Sequence, residues 1–272
     1  MSQTLLRIGI FYLYMPCRSL AHLLRDTGRR MRTVLGLRKR RSPEREDLIS
    51  AQRGLPAVSW SSVCRPAGTT FDAVGKADGN VNVAELAVLN ALCRTYVPKS
   101  IFEIGTFNGR TTLNLALNSD ARVFTLDLPG NSSAAMPIAG GDEKYIRLPV
   151  RGGHFQGRGL PITQLIGDSA RFDFSPWYGQ IDLVFVDGAH DYGYVVNDTD
   201  VALRLLKPEG GVIIWHDYGV WPGVTRALME LGERRPELRL MQVKDTSLVI
   251  TITRGGPAGA GMPAHRAAAH AR

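Results

Sequence analysis

The chain has 272 residues and a formal net charge of +8, with 33 basic and 25 acidic residues. Residues 1–60 hold 12 Arg or Lys and 4 acids, so the remainder is balanced at 21 of each sign. A neutral body argues against nucleic-acid binding by the folded core, because tracking phosphates needs a basic face. The sequence has no run of 18 apolar residues, so it predicts no membrane span.

Three widely separated cysteines, Cys17, Cys64 and Cys93, lack the paired spacings of a zinc site or a redox motif. They predict free thiols in a reducing compartment, which places the protein in the cytoplasm.

The N-terminal segment, residues 1–60, has an apolar stretch followed by clustered arginines. A signal peptide has the opposite order. The segment could lie in a membrane interface and contact anionic headgroups. Alternatively it is a solvated, partly helical arm that packs on the body or on another subunit of a homo-oligomer, and we favour this interpretation. At the other end, residues 255–272 are rich in Ala, Gly and Pro and predict a disordered tail.

From residue 82 to residue 254, strand and helix patterns alternate. The strand-like segments are, in order, SIFEIG, RVFTLDL, ITQLIGD, IDLVFVD, GGVIIWHD, LRLMQV and SLVITIT. The helix-like segments are NVAELAVLNALCRTYV, GRTTLNLALNS, VVNDTDVALRLL and VTRALMELGERRP. This alternation is typical of parallel βαβ units, whereas the short link between the last two strands favours an antiparallel hairpin. We therefore predict that residues 61–254 form one α/β domain: a doubly wound, mostly parallel seven-stranded sheet with an antiparallel last strand.

In open sheets of this kind, ligands bind beyond the carboxyl ends of the strands. The first strand runs into GTFNG, where Gly105 and Gly109 allow a tight turn ahead of a helix N-terminus. The dinucleotide fingerprint G-x-G-x-x-G is absent. Glu103 stands in the strand end, and a carboxylate there would repel pyrophosphate and suit a cationic or zwitterionic ligand. A purely structural glycine turn is the alternative.

Two further acids end the following strands. Asp127 closes RVFTLD about twenty residues beyond the loop, where an acid can accept both hydroxyls of a ribose. Asp168 closes the next strand, and together with Ser169 it could bracket a purine edge.

With these motifs the chain resembles the class I S-adenosylmethionine-dependent methyltransferases. It is most similar to the small-molecule O-methyltransferases whose fourth strand ends in Asp-Gly-x-His and whose fifth ends in His-Asp. The resemblance covers residues 80–254, and Phe107 departs from it where many members have glycine. It implies that the amino-acid part of the cofactor lies by Glu103 and Gly105, the ribose by Asp127, and the adenine by Asp168 and Ser169. The full cofactor-binding set it implies is Glu103, Gly105, Thr106, Asn108, Gly109, Asp127, Asp168, Ser169 and Asp187.

The fourth and fifth strand ends supply candidates for the reacting centre. Methyl transfer to a hydroxyl is an in-line displacement that needs the acceptor positioned and its proton removed. His190 suits a general base, since its ordinary pKa is about 6.5, and Asp187 could orient it. A capping Asp187 and a structural His190 are the alternative reading.

The same rim also suggests a metal site. Asp187, His216 and Asp217 form a group that could bind a hard divalent ion such as magnesium. In methyltransferases that resemble this chain, an acid pair on the fifth strand takes part in metal binding, and here His-Asp replaces it. Histidine favours a softer ion or none.

Neighbouring residues allow two readings each. Asp191 is best read as a helix start, while Tyr192 and Tyr194 could line an acceptor pocket or begin the same helix. Trp215 and Trp221 could stack on a sugar or be buried. Residues 129–160 predict a loop over the acceptor site, in which Arg151, His154 and Arg158 could contact an anionic acceptor.

The sequence thus predicts transfer of a methyl group from S-adenosylmethionine to a hydroxyl of a small molecule. The resemblance suggests a glycan or a sugar-bearing metabolite as the acceptor. Two rivals are a nicotinamide-dependent oxidoreductase, against which the missing fingerprint argues, and a non-catalytic module that keeps the cofactor pocket.

Overall fold

The structure is a computed structural model that describes residues 54–65, 68–75, 78–130, 134–146 and 151–253. The predicted C-terminal tail and most of the predicted N-terminal arm, including Cys17, lie outside the described residues. Within these ranges, no helix is both long enough and apolar enough to cross a membrane. Cys64 and Cys93 are free, buried thiols.

The described residues form one sheet of eight strands. The strands are β1 (Ala57–Val58), β2 (Ser100–Ile104), β3 (Arg122–Asp127), β4 (Ile162–Ile166), β5 (Leu183–Val186), β6 (Val212–Trp215), β7 (Met241–Val243) and β8 (Val249–Ile252). Their order across the sheet is β1-β7-β8-β6-β5-β2-β3-β4. All seven strands predicted from the sequence are present. The eighth, β1, pairs in parallel with β7 and extends the sheet into the segment expected to be an arm.

The pairing confirms a mostly parallel sheet with an antiparallel last strand. Strands β6, β5, β2, β3 and β4 are mutually parallel neighbours. Strand β8 runs antiparallel to both β6 and β7, which confirms the predicted hairpin.

Six α-helices lie within the described residues: α1 (Trp60–Val63), α2 (Val83–Tyr96), α3 (Arg110–Leu117), α4 (Glu143–Ile146), α5 (Tyr192–Leu205) and α6 (Pro222–Arg234). Short 3-10 turns span Ser175–Trp177 and Pro236–Leu238. Helix α2 begins with a capping box, in which the Asn82 side chain accepts from the Glu85 amide and the Glu85 side chain accepts from the Asn82 amide. Glu85 is also part of the site described below.

Apolar side chains cover both faces of the sheet, as expected for parallel strands. Phe102, Val184 and Ile213 belong to one buried cluster. Their strand neighbours Ile101 and Leu183 belong to the other. Because neither face is free, polar chemistry concentrates at the strand ends.

The chain moves outward from β2 to β3 and β4 and then returns to β5 on the other side of β2. The carboxyl ends of β2 and β5 therefore flank the topological switch point, where doubly wound sheets bind ligands. The predicted strand-end acids Asp127, Asp168 and Asp187 lie at or just beyond this edge.

Candidate active site

The loop after β2 lies directly against the end of β5. Gly105 has φ +102°, and a Cβ there would lie 2.0 Å from the carbonyl oxygen of Asp187. Only glycine fits this contact. Gly109, also left-handed, is the N-cap of α3. Phe107 adopts a left-handed conformation without being glycine, with φ +50°.

Glu103 lies beneath this loop and is completely buried. The hydroxyls of Thr112 and Thr125 donate to its Oε2, while Oε1 is buried and has no hydrogen-bond partner among the described residues. Burial raises the pKa of Glu103 to about 8, with the threonine hydrogen bonds acting in the opposite direction. The structure thus places this acid under the floor of the crevice.

Two other loop residues are also tied inward. The hydroxyl of Thr106 is buried and lies 2.7 Å from that of Thr125. The Asn108 side chain accepts from the Arg110 amide at 3.1 Å, and the backbone carbonyl of Asn108 accepts from the His154 amide at 3.1 Å. The loop geometry is therefore fixed by contacts on both of its sides.

Asp127 fastens the same loop to β3. Its Oδ2 accepts from the Phe107 amide at 2.7 Å and its Oδ1 from the Leu128 amide at 2.8 Å. The Arg151 guanidinium lies 2.5 Å from Oδ2. Burial raises the pKa of Asp127, and Arg151 acts against this shift. Arg151 was expected near the acceptor, and in the structure it contacts Asp127, the residue predicted to bind the ribose. Arg158 forms an ion pair with Asp72.

Asp168 connects three segments at the end of β4. Its carboxylate accepts from the Ala135 amide at 2.6 Å, from the Ala170 amide at 2.9 Å and from the Tyr194 hydroxyl at 3.0 Å. The carbonyl of Ser169 accepts from the Asn197 side chain at 3.2 Å. Tyr194, a candidate for the acceptor pocket, thus lies on the side of the predicted adenine ligands.

On the other side of the switch point, Asp187, His190 and Asp217 bring one ligand atom each within 4.8 Å of one another. Nε2 of His190 lies 2.8 Å from Oδ2 of Asp217 and 4.0 Å from Oδ1 of Asp187. This nitrogen is buried and makes no well-aligned hydrogen bond to the part of the chain that the structure describes. Asp217 has φ +65°, a conformation that non-glycine residues rarely adopt.

His216 lies beside this group, with its Nδ1 3.4 Å from Oδ2 of Asp217. Its Nδ1 lies 2.9 Å from Oδ1 of Asp187, and its Nε2 lies 3.0 Å from Oε2 of Glu85. Burial acts to lower the pKa of His216, but the surrounding carboxylates outweigh burial and raise it well above the ordinary value. The metal set expected from the sequence contained His216, whereas the three donors that lie close enough together to hold an ion are those of Asp187, His190 and Asp217.

Two carboxylates that the sequence reasoning missed hold the histidines. Glu85 is visible in the sequence only as a capping-box residue, and its contact with His216 spans 131 positions. Asp142, in the segment after β3, accepts from the His190 amide at 2.9 Å, and its Oδ1 lies 2.7 Å from Nδ1 of the same residue. The sequence of the loop over residues 129–160 offered no local signal for this contact.

The charges around His190 decide its protonation. Burial acts to lower the pKa of His190, but the carboxylates of Asp142 and Asp217 outweigh burial and raise it to about 10. The ring also stacks on Trp221, with centroids 4.8 Å apart and planes 6° from parallel. At neutral pH the imidazole is therefore protonated in this arrangement.

The remaining neighbours have structural partners. Asp191 caps α5 by accepting from the Gly193 amide at 3.0 Å, which confirms its reading as a helix start. The Tyr192 hydroxyl donates to Glu230 at 2.6 Å. Trp215 is buried, and its indole N–H donates to Thr199.

The sheet order, the glycine loop after β2 and the acids at consecutive strand ends define a Rossmann-like α/β fold with a ligand crevice at its switch point. Residues 102–218 match a family model described as a methyltransferase domain. The match begins in β2 and extends just past the His216–Asp217 pair. This match agrees with the prediction of a methyltransferase.

Three solved structures are similar to the chain: SAH-bound methyltransferase PaMTH1 from Podospora anserina, O-methyltransferase TomG from Streptomyces achromogenes in complex with SAM, and an O-methyltransferase from Bacillus cereus in complex with SAH. Sequence identities are 19%, 18% and 20%, with TM-scores of 0.49, 0.46 and 0.47. The alignments cover 65%, 66% and 65% of this chain and 80%, 92% and 84% of those chains. No curated protein gave a significant match.

Proposed function

We propose that this enzyme transfers the methyl group of S-adenosylmethionine to a hydroxyl of a small-molecule acceptor. One observation carries the proposal: two acid-lined half-sites meet at the switch point. Asp127 and Asp168 lie on one side, Asp187 and Asp217 lie on the other, and Gly105 packs on the backbone of Asp187 between them.

The first half-site suits the cofactor. Carboxylates at two consecutive strand ends match the hydroxyl donors of a ribose and the amino group of an adenine, so Asp127 and Asp168 would hold these parts. The loop from Gly105 to Gly109 would lie against the amino-acid part. Glu103 lies beneath this loop as a buried carboxyl that burial keeps protonated up to a pKa of about 8. When bound, S-adenosylmethionine supplies an electrophilic methyl group on a sulfonium.

The second half-site suits a divalent cation held by Asp187, His190 and Asp217. The buried Nε2 of His190 has no well-aligned hydrogen bond within the described residues, so a cation that displaces its proton could take this nitrogen as a ligand. Four carboxylates, those of Glu85, Asp142, Asp187 and Asp217, surround only two imidazoles, so the group favours an added positive charge.

A divalent cation would supply Lewis acidity and lower the pKa of a bound hydroxyl. Because one of the three ligands is nitrogen, manganese or zinc suits the set better than magnesium. His216 would keep Asp187 oriented toward the site, since both of its ring nitrogens already contact carboxylates.

Nε2 of His190 can take a proton from the acceptor or bind a cation, but it cannot do both. The raised pKa of His190 opposes the base role at neutral pH, because a protonated imidazole cannot accept the acceptor's proton. A cation would displace that proton. We therefore propose the ligand role for His190 and treat the general base as the alternative.

Calorimetric titration with S-adenosylmethionine, S-adenosylhomocysteine and NAD tests the cofactor. We expect the first two to bind and Asp127→Asn to weaken both by about 10- to 100-fold, the value of a lost charge-assisted hydrogen bond. Asp120→Asn, at an exposed acid, is the matched control. Binding of NAD alone, or of none of the three, would contradict the proposal.

Titration with Mn²⁺ separates the two roles of His190. We expect the wild type to bind the ion and His190→Ala to lose at least about tenfold in affinity, while His154→Ala binds as the wild type does. If the wild type binds no Mn²⁺ or Zn²⁺, and methyl transfer is still lost in His190→Ala, the base role is correct.

The acceptor is proposed as a small molecule with a free hydroxyl, and a sugar or glycan is the class that the sequence resemblance suggests. Free, buried thiols at Cys64 and Cys93 support a reducing location such as the cytoplasm. A mass-spectrometric screen of hydroxylated compounds for methylated products would identify the acceptor. Methylation of amines or thiols alone would refute the hydroxyl assignment.

A further inference from the structure

The segment between β3 and β4 contacts both half-sites. The Ala135 amide donates to Asp168 and the Arg151 guanidinium contacts Asp127, both on the cofactor side. Asp142 contacts His190 on the acceptor side. The proposed function assigns no role to this segment, although it reaches each group of acids.

Asp142 makes the most informative of these contacts. It is 4% exposed, so solvent does not compete for its carboxylate. Its Oδ2 accepts from the His190 backbone amide at 2.9 Å, and its Oδ1 lies 2.7 Å from the ring nitrogen Nδ1. One carboxylate therefore fixes both the position and the rotation of this histidine.

The contact also determines which ring nitrogen faces the acids. A carboxylate accepts hydrogen bonds, so Nδ1 must carry a proton to bond with Asp142. Nε2 is then the nitrogen left for Asp187 and Asp217. In metal sites, a carboxylate on the far nitrogen of a histidine ligand has this orienting effect.

A second contact supports the same ring. Trp221 stacks on one face of His190, and Gly141 lies against the edge of Trp221, where a Cβ would be 3.1 Å from Cη2. Asp142 therefore holds the imidazole at Nδ1, and the preceding residue, Gly141, lies against the tryptophan that stacks on the ring.

We propose that Asp142 is a positioning residue that fixes the orientation and proton placement of His190, so that Nε2 points toward Asp187 and Asp217. Residues 134–146 are then a working part of the active site. The purpose of this arrangement rests on the proposed function, but the contact itself does not.

The test compares wild type, Asp142→Asn and Asp78→Asn. Asp78 forms an exposed ion pair with Lys144 of the same segment, so Asp78→Asn perturbs the segment without touching His190. Nitrogen-15 NMR of the histidine rings reports proton placement. We expect a slowly exchanging Nδ1–H for His190 in wild type and Asp78→Asn. In Asp142→Asn this signal is lost, because the amide can donate to Nδ1 instead.

Mn²⁺ titration gives the second readout. We expect Asp142→Asn to bind the ion at least about tenfold more weakly, with S-adenosylmethionine affinity within about twofold of wild type. Unchanged Mn²⁺ affinity together with a retained Nδ1–H would overturn the proposal. If no variant binds Mn²⁺, the proposed cation site fails, yet the NMR result still decides the role of Asp142. If Asp142→Asn does not fold, the wild type alone decides: a His190 ring without a slowly exchanging Nδ1–H overturns the proposal.

Discussion

Glu103 should make the stability of this protein fall as the pH rises from acidic to mildly alkaline. The side chain is completely buried beneath the glycine loop and carries an orphaned oxygen. Burial raises its pKa from 4.5 to about 8. Replacement by glutamine keeps an acceptor for the Thr112 and Thr125 hydroxyls and removes the titration.

The sign follows from proton binding. Between pH 4.5 and about 8 the unfolded chain has released the Glu103 proton, whereas the folded protein keeps it. Raising the pH through this interval therefore favours the unfolded state. Because a tenfold change in proton affinity is worth about 1.4 kcal/mol, the full difference between these two pKa values corresponds to at most about 5 kcal/mol.

Urea unfolding of wild type and Glu103→Gln at several pH values measures this effect. The difference between the two free energies of unfolding should grow in favour of Glu103→Gln between pH 4.5 and about 8 and then level off. Glu209→Gln removes an exposed carboxylate and serves as the control. A constant difference between wild type and Glu103→Gln across this range would show that Glu103 is ionised in the folded protein and refute the argument.

Two further predictions concern the cofactor side. Gly105→Ala should lower the free energy of unfolding by at least about 3 kcal/mol in thermal or urea melts, because its Cβ would meet the Asp187 carbonyl. Gly157→Ala, left-handed but in open space, should cost only about 1 kcal/mol, and equal losses would contradict the packing argument. Arg151→Gln should weaken S-adenosylmethionine binding more at acidic than at alkaline pH, because loss of the guanidinium further raises the pKa of Asp127. Calorimetry showing a pH-independent deficit would exclude this reason.

The sequence was sufficient for the sheet because each strand carries a local signal. Apolar runs such as LVFV over residues 183–186 end abruptly at an acid, and their parallel arrangement follows from the helices between them. Strand β1 was missed because two residues, Ala57 and Val58, give no period to detect. Its pairing depends on the edge that β7 offers.

The candidate site was predictable only in part, because only some of its residues carry a local signal in the sequence. Asp187, His190 and Asp217 follow buried strands directly, so their meeting at one rim follows from topology. That His190 and not His216 groups with these two acids depends on the orientation of the two imidazole rings. Glu85 and Asp142 set these orientations. Neither acid lies near the strand ends in sequence, so no spacing rule could connect them.

Glu85 shows why such a site resists local prediction. Its Oε2 completes the capping box of α2 and lies 3.0 Å from Nε2 of His216. Its Oε1 accepts from the amide and the hydroxyl of Ser247, in the turn between β7 and β8. These contacts lower its pKa to about 2 despite burial. The carboxylate therefore stays charged and keeps His216 directed at Asp187. Helix α2 and the hairpin of β7 and β8 thus both set the geometry of the acceptor side.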